Sequence, residues 1–184
     1  MRVFYALTLP PLLQEHCLYL INSLKTRHEF KTLRWTDPEH LHITLRFLGQ
    51  VEETQLAKIN TLLHEQIPPC ESIALSTRRL LLLPPRKPHI LGLAIHLNQA
   101  LANLVRVINQ AHSSVGIDLE KRPFLAHITL GRFNESTQHE DFILNAVKSI
   151  EDKAHQVVLY KSEPTETGSV YTPLETFEMK SLGL

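Results

Sequence analysis

Apolar residues in this chain recur with two periods, and the alternation between them predicts the elements. Val3 to Leu9 is a short apolar run that Pro10 and Pro11 end, which predicts an opening strand followed by the first turn of a helix. From Leu12 to about His28, apolar residues fall at Leu13, Cys17, Leu20, Ile21 and Leu24, the stripe of an amphipathic helix. A short strand at Leu33–Trp35 and a turn at Asp37-Pro38 come next. The stretch HLHITLRFLG then switches to a period of two. On a regular strand His42, Thr44 and Arg46 share one face, and Ile43, Leu45 and Phe47 the other. A helix fits Glu52 to about Glu65, with Leu56, Ile59, Leu62 and Leu63 on its buried side and Pro68-Pro69 beyond its end.

The second half repeats the plan. Strands are predicted over about 72–83 and 89–97, joined by PPRKP, in which Arg86 and Lys87 are solvated loop charges. A helix follows from Leu97 to about Ala111, then a polar turn at His112–Gly116. HITLGRF at 127–133 repeats the earlier strand 85 residues on. A helix at Gln138–Ser149 and strands at about 154–162 and 170–180, linked by the turn formers of Thr165–Ser169, complete the chain. Sheets and helices mix without regular strand–helix alternation, and no glycine-rich phosphate loop is present, which argues against a dinucleotide-binding or P-loop enzyme. The expected fold class is α+β: one bilobal domain over residues 1–184, with two antiparallel sheets facing each other around a central cleft and helices outside.

Composition narrows the picture. The 184 residues carry 19 Lys plus Arg against 19 Asp plus Glu, so no global charge draws the chain to nucleic acid. Residues 1–92 hold 11 basic and 8 acidic side chains, enough asymmetry to permit a local positive cleft. Cys17 and Cys70 stand alone, as buried thiols of a reducing compartment do. With no signal-peptide pattern and no long uncharged apolar run, the expectation is a cytoplasmic protein, monomeric and without a membrane partner.

The paired segments HITLRF and HITLGRF carry the chemistry. A repeated core strand is the alternative, but burying His42, Thr44 and Arg46 together costs free energy unless each finds partners, and a solvated pocket removes that cost. In-line hydrolysis of a phosphodiester needs a base for water, an acid for the leaving oxygen and donors for the equatorial oxygens. Histidine suits both proton transfers, and a threonine two residues along the strand donates to the same phosphate. His40-x-His42 has a spacing that some zinc sites use, but the second copy has Leu125 instead and no third ligand is evident, so no cofactor or metal is expected. His40 is expected to be a strand-entry residue. Arg46 shares the parity of His42. Arg132 has the wrong parity for His127 unless Gly131 marks a bulge. Phe47 and Phe133 are expected in the core, with stacking on a base as the alternative; Trp35 is a packing anchor, and Tyr171 is structural or lines the cleft.

The stretches RVFYAL, LRWTDPEHLHITLRFLG, RPFLAHITLGRF and LYKSEPTETGSVYTPLETF resemble the two-histidine (2H) phosphoesterase superfamily, nearest to its bacterial and archaeal RNA 2',3'-cyclic phosphodiesterases, historically called 2'-5' RNA ligases. The resemblance implies a bilobal α+β fold and metal-independent hydrolysis of a terminal 2',3'-cyclic phosphate on RNA or an oligonucleotide to a 2'-phosphate. It places the motif histidines on His42 and His127, the threonines on Thr44 and Thr129, and a phosphate-contacting arginine on Arg132. It orders the pair as His127 the base and His42 the acid. Ala126 stands where such proteins usually have proline, and leucines fill Leu80–Leu83 where an aromatic residue is common. Turnover of nucleotide-sized cyclic phosphates, reversible 2'-5' ligation and RNA-end binding without turnover remain the alternatives.

Overall fold

The structure is a computed structural model that describes residues 1–85, 87–118, 120–133, 146–165 and 168–180. Strand β1 (Arg2–Thr8) leads into helix α1 (Pro11–Lys25), with Pro11 at the position where a missing amide costs nothing. Strands β2 (Leu33–Trp35) and β3 (His42–Gln50) and helix α2 (Glu53–Gln66) complete the first half. The second contains β4 (Ile73–Leu83), β5 (Ile90–Ile95), α3 (Gln99–Ser113), β6 (His127–Phe133), β7 (Glu151–Ala154), β8 (Gln156–Thr165) and β9 (Gly168–Glu178). The Asn98 side chain accepts from the Leu101 amide at 2.9 Å and caps α3, an interaction that contributes about 1 kcal/mol. The helix expected at Gln138–Ser149 falls largely outside the described residues. Its described end is not helical: Ala146 makes an isolated antiparallel bridge to Arg79. Arg86 also lies outside them.

The stripes read from the sequence are the buried faces. Leu13, Cys17, Leu20, Ile21 and Leu24 of α1 are buried, as are Leu56, Ile59 and Leu63 of α2 and Leu101, Leu104, Val105 and Ile108 of α3. Each such side chain contributes about 1.5–3 kcal/mol by leaving water, so these faces fix the helices to the sheet. No described helix is long and apolar enough to cross a membrane. Cys17 and Cys70 are free thiols.

The strands correct one expectation. They do not form two separate facing sheets; they follow one antiparallel path, β7-β4-β5-β6-β3-β1-β8-β9, with β2 added against β6. The reason lies in the repeat. The two histidine strands are neighbours, and β3 meets β6 through the pair Ile43↔Ile128. The sheet extends outward from the two histidine strands, with β1, β8 and β9 beyond β3 and β5, β4 and β7 beyond β6; the chain halves exchange strands, because β8 and β9 return to the β3 side and β2 adds to β6.

Two bulges occupy equivalent places in the repeat. Along β1 and β3, Tyr5 pairs with Arg46 but Ala6 pairs with Thr44, so Leu45 is the extra residue. Along β5 and β6, Leu91 pairs with Gly131 but Gly92 pairs with Thr129, so Leu130 is extra. An extra residue reverses the parity of the residues beyond it on the strand. Phe47 thus joins His42 and Thr44 on the cleft side, and Arg132 joins His127 and Thr129. A side chain at Gly131 would meet Leu33 Cδ2 at 2.7 Å and Cγ at 2.9 Å, so β2 can cover the second bulge only where that residue is glycine.

Candidate active site

The Ile43↔Ile128 pair sets the geometry. Continuing that antiparallel register puts His42 opposite Thr129 and Thr44 opposite His127. Residues opposite each other on a sheet face stand about 4.5–5.5 Å apart at Cβ, so each histidine faces the other strand's threonine. A small cavity of about 50 Å³ at the centre is lined by His42, Thr44, Thr129, Arg132, Phe47 and Tyr171, together with Thr36 and His40.

Both imidazoles are held the same way. His42 Nδ1 donates to the His40 carbonyl at 2.6 Å, and His127 Nδ1 donates to the Leu125 carbonyl at 2.8 Å. A carbonyl acceptor fixes the proton on Nδ1 and leaves Nε2 as the reactive nitrogen. His42 Nε2 lies 3.0 Å from Thr44 Oγ1, so the threonine hydroxyl donates to it when the ring is neutral. His40 therefore contributes more than strand entry: its carbonyl orients His42, and its ring lines the cavity 5.0 Å from the Tyr171 ring.

The remaining candidates separate. Arg132 lies on the cleft side and is exposed, as a phosphate contact must be. Arg46, expected beside His42, points to the helix side, because the bulge at Leu45 carries it across the sheet. It is only 8% exposed, donates to the Asp118 carbonyl and raises the positive potential at His112. It also lines a neighbouring, mostly apolar pocket with Thr44 and His127, but not the central cavity. Phe47 takes the cleft position instead. It is 44% exposed and stacks on Phe4 with centroids 5.2 Å apart, which places it at the cleft edge rather than in the core. Phe133 is buried, and Trp35 packs edge-on against Phe30. Tyr171 lines the cleft, 5.7 Å from the His42 ring.

Electrostatics bias both rings toward the neutral form. Burial against Phe4, Tyr160 and Tyr171 pushes the His42 pKa down to about 4, against the pull of the His40 carbonyl, and electrostatic repulsion from the His40, Arg132 and His127 side chains adds to the lowering. His127 is lowered by burial and then by Arg132, with the Leu125 carbonyl opposing. A charge-neutral pair that gains an anion between its members takes up a proton readily. The site can therefore bind a phosphate, gain the acid it needs on binding, and keep the second ring as a base. Among the described residues, no three His, Cys, Asp or Glu side chains converge as a metal site.

A family model described as "LigT like Phosphoesterase" matches residues 7–91 and, again, residues 91–171. The chain belongs to the LigT-like phosphoesterase family. It is 25% identical over 185 residues to an RNA 2',3'-cyclic phosphodiesterase of Methanothermobacter thermautotrophicus, spanning 97% of this chain and 98% of that one. It is 34% identical to the Bacillus subtilis protein of the same name over 100 residues, about half of each chain. Its fold matches that of TT0787 from Thermus thermophilus with a TM-score of 0.82, 24% identity and full coverage of both chains. It matches apo LigT from E. coli with a TM-score of 0.77 and 22% identity over 97% of this chain and 96% of that one. LigT-like phosphoesterases thus share the frame on which His42 and His127 are displayed.

The pKa directions give a measurable consequence. The pH dependence of kcat/KM follows the free enzyme and that of kcat the complex. One ring must be protonated, so kcat/KM falls as pH rises through the higher of the two free values, which lies below 6.5. An anion bound within a few ångströms raises imidazole pKa by about 1–3 units, so the alkaline limb of kcat should lie that much higher. Steady-state rates between pH 4 and 9 test this. Coincident limbs, or a kcat/KM limb above 6.5, would show that the free rings are not held neutral.

Proposed function

We propose that this protein hydrolyses terminal 2',3'-cyclic phosphates on RNA or oligonucleotides to 2'-phosphates, without a metal ion, using His42 and His127 as the proton-transfer pair. The observation that supports this reading is the matched pair of imidazoles on neighbouring strands, each held through Nδ1 by the carbonyl two residues earlier, with Thr44 lining both the cavity at His42 and the adjoining pocket at His127. The names of the relatives in Methanothermobacter and Bacillus support the substrate class, and an E. coli LigT structure complexed with 3'-AMP supports a nucleotide ligand.

The cyclic phosphate sits between the two strands, its free oxygens accepting from Thr44, Thr129 and Arg132. Water approaches from the His127 side and gives its proton to His127 Nε2 as its oxygen bonds to phosphorus. The P–O3' bond breaks as His42 Nε2–H delivers a proton to O3'. One water is consumed, a 2'-phosphate and a 3'-hydroxyl result, and proton exchange with solvent resets the rings. The two halves act as lobes of one domain around this phosphate, a duplicated plan supported by the twofold match of the family model.

An oligonucleotide ending in a 2',3'-cyclic phosphate, incubated with metal-stripped protein in excess chelator, tests the proposal. The expected product carries a 2'-phosphate and forms at the rate seen without chelator. Loss of activity restored only by one divalent metal would overturn the metal-free mechanism, and binding without turnover would leave an RNA-end binding protein.

A further inference from the structure

Strands β3 and β6 pair at Ile43↔Ile128 and then part, and a pocket of about 340 Å³ fills the gap beyond. Residues 44–47 of β3 line one side of it; Glu120 and residues 122–125 line the other, and Leu83 and Val105 complete its apolar lining beside His127. Thr44 and Phe47 also line the central cavity, so the two spaces adjoin.

Arg46 spans this gap. It leaves β3 on the helix side, is 8% exposed, and its Nη2 donates to the Asp118 carbonyl at 2.5 Å. A hydrogen bond from a charged donor is stronger than one between neutral groups, and burial keeps water from competing for it. Asp118 begins the far wall. The end of that wall is held separately, because the Ile95 amide donates to the Ala126 carbonyl at 2.9 Å. In between, Arg122 folds back on Glu120. It donates to Oε1 from its amide and Nε at 3.1 Å each, and to Oε2 from Nη2 at 3.0 Å, and Pro123 fixes the next φ. The wall is thus a braced, mostly exposed stretch of chain, with Phe124 packed on the core and Arg46 holding its first residue.

A cyclic phosphate occupies the C2'–C3' edge of a ribose, and the base leaves from C1', next to C2'. A phosphate in the central cavity therefore carries the base into an adjoining space. The pocket beside His127 offers the flat face of a base the side chains of Leu83, Val105, Pro123, Phe124 and Leu125. We propose that Arg46 is a positioning residue for the terminal base: by tying Asp118 to β3 it holds residues 120–125 as the far wall of a base subsite, and it touches neither the phosphate nor the base. This rests on the activity proposed above and names what fixes one side of its substrate. It also gives Arg46 a task on the helix side of the sheet, where the bulge at Leu45 places it.

Two substrates test it: a nucleoside 2',3'-cyclic phosphate, and methyl riboside 2',3'-cyclic phosphate, which has the same reacting group and no base. Wild type should prefer the first by about tenfold or more in kcat/KM, chiefly through KM, as binding shared by ground and transition states requires. Arg46→Met keeps the stem and removes the donors. It should raise KM for the nucleoside substrate about tenfold with kcat within about threefold, and leave the methyl riboside substrate within about twofold of wild type. Arg46→Lys retains a charged donor for the Asp118 carbonyl and should recover most of the preference. An arginine that is merely structural, or that acts on the phosphate, would lose both substrates alike, and that result overturns the proposal. Should Arg46→Met fail to fold, Glu120→Ala removes the brace of the same wall from an exposed position and should weaken the preference for the base selectively; an unchanged preference overturns the proposal. Equal turnover of the two substrates by wild type removes the base subsite and leaves the activity standing. Turnover of neither, nor of an oligonucleotide ending in a cyclic phosphate, removes both.

Discussion

Replacing either His42 or His127 by alanine should lower the rate on a 2',3'-cyclic-phosphate oligonucleotide by about 10²–10⁴-fold, the contribution of positioned acid–base catalysis. Each ring has its Nδ1 committed to a carbonyl, so Nε2 is the nitrogen left for the reaction. The rings are half-buried, and their removal opens the cleft rather than the core. Folding should therefore survive, and circular dichroism with thermal melting separates lost chemistry from lost structure. His40→Ala should cost far less, because the carbonyl that orients His42 is retained. A substrate whose 3' oxygen is replaced by sulfur orders the pair. A thiolate leaves with little help from an acid, so it should rescue His42→Ala and not His127→Ala. Rescue of the His127 variant alone would reverse the order, and near-wild-type turnover by either variant on the natural substrate would reject the paired mechanism.

Periodicity revealed most of the elements because burial enforces it. The helical stripes at Leu13–Leu24 and Leu101–Ile108 and the alternation in HITL are faces that must leave water, and they did so in the expected register. Strand β7 was not legible: Glu151–Ala154 is mostly polar, and it is a strand because Ile73–Ser76 offers it a hydrogen-bonding edge. The joining of the halves was equally hidden. Alternation says which face a strand buries but not which strand lies beside it, so the Ile43↔Ile128 seam could not be read from the chain.

The arginines show where local parity stops being informative. By eye, the arginines of HITLRF and HITLGRF look equivalent, and a regular strand puts Arg46 in the cleft. Pairing with β1 and β5 inserts an extra residue at Leu45 and at Leu130, so the spatial equivalent of Arg132 is Phe47, and that of Arg46 is Gly131. One signal was available in the second copy, where Gly131 interrupts the repeat. The first copy had no glycine to mark its bulge. The two halves have thereby become chemically unlike at one position, with a cation on one strand and an aromatic ring on the other. That asymmetry gives the two sides of a duplicated frame different chemistry.

Thr44→Val and Thr129→Val should each lower kcat/KM by about 10²–10³-fold, the cost of roughly 2.7–4 kcal/mol seen when one preorganised donor to a developing oxyanion is lost. Valine keeps the shape of threonine and suits a strand, so the change removes a hydroxyl and little else. Both side chains are half-buried beside the opposing histidine, and the expected change in stability is about 1 kcal/mol or less. The two variants should differ in one respect. Thr44 Oγ1 also meets His42 Nε2 at 3.0 Å, so its hydroxyl must turn from the ring to the phosphate when substrate arrives. Its loss removes a donor that stabilises neutral His42, and the ring should then protonate more easily. In Thr44→Val the acid-side pH dependence of kcat/KM should therefore move to higher pH, a shift that is absent in Thr129→Val if Thr129 acts on the phosphate alone. Kinetics and melting temperature measured on the same preparations decide the matter. Wild-type rates in both variants would place these hydroxyls outside the phosphate site, and a large fall in melting temperature matched by the loss of rate would make them structural.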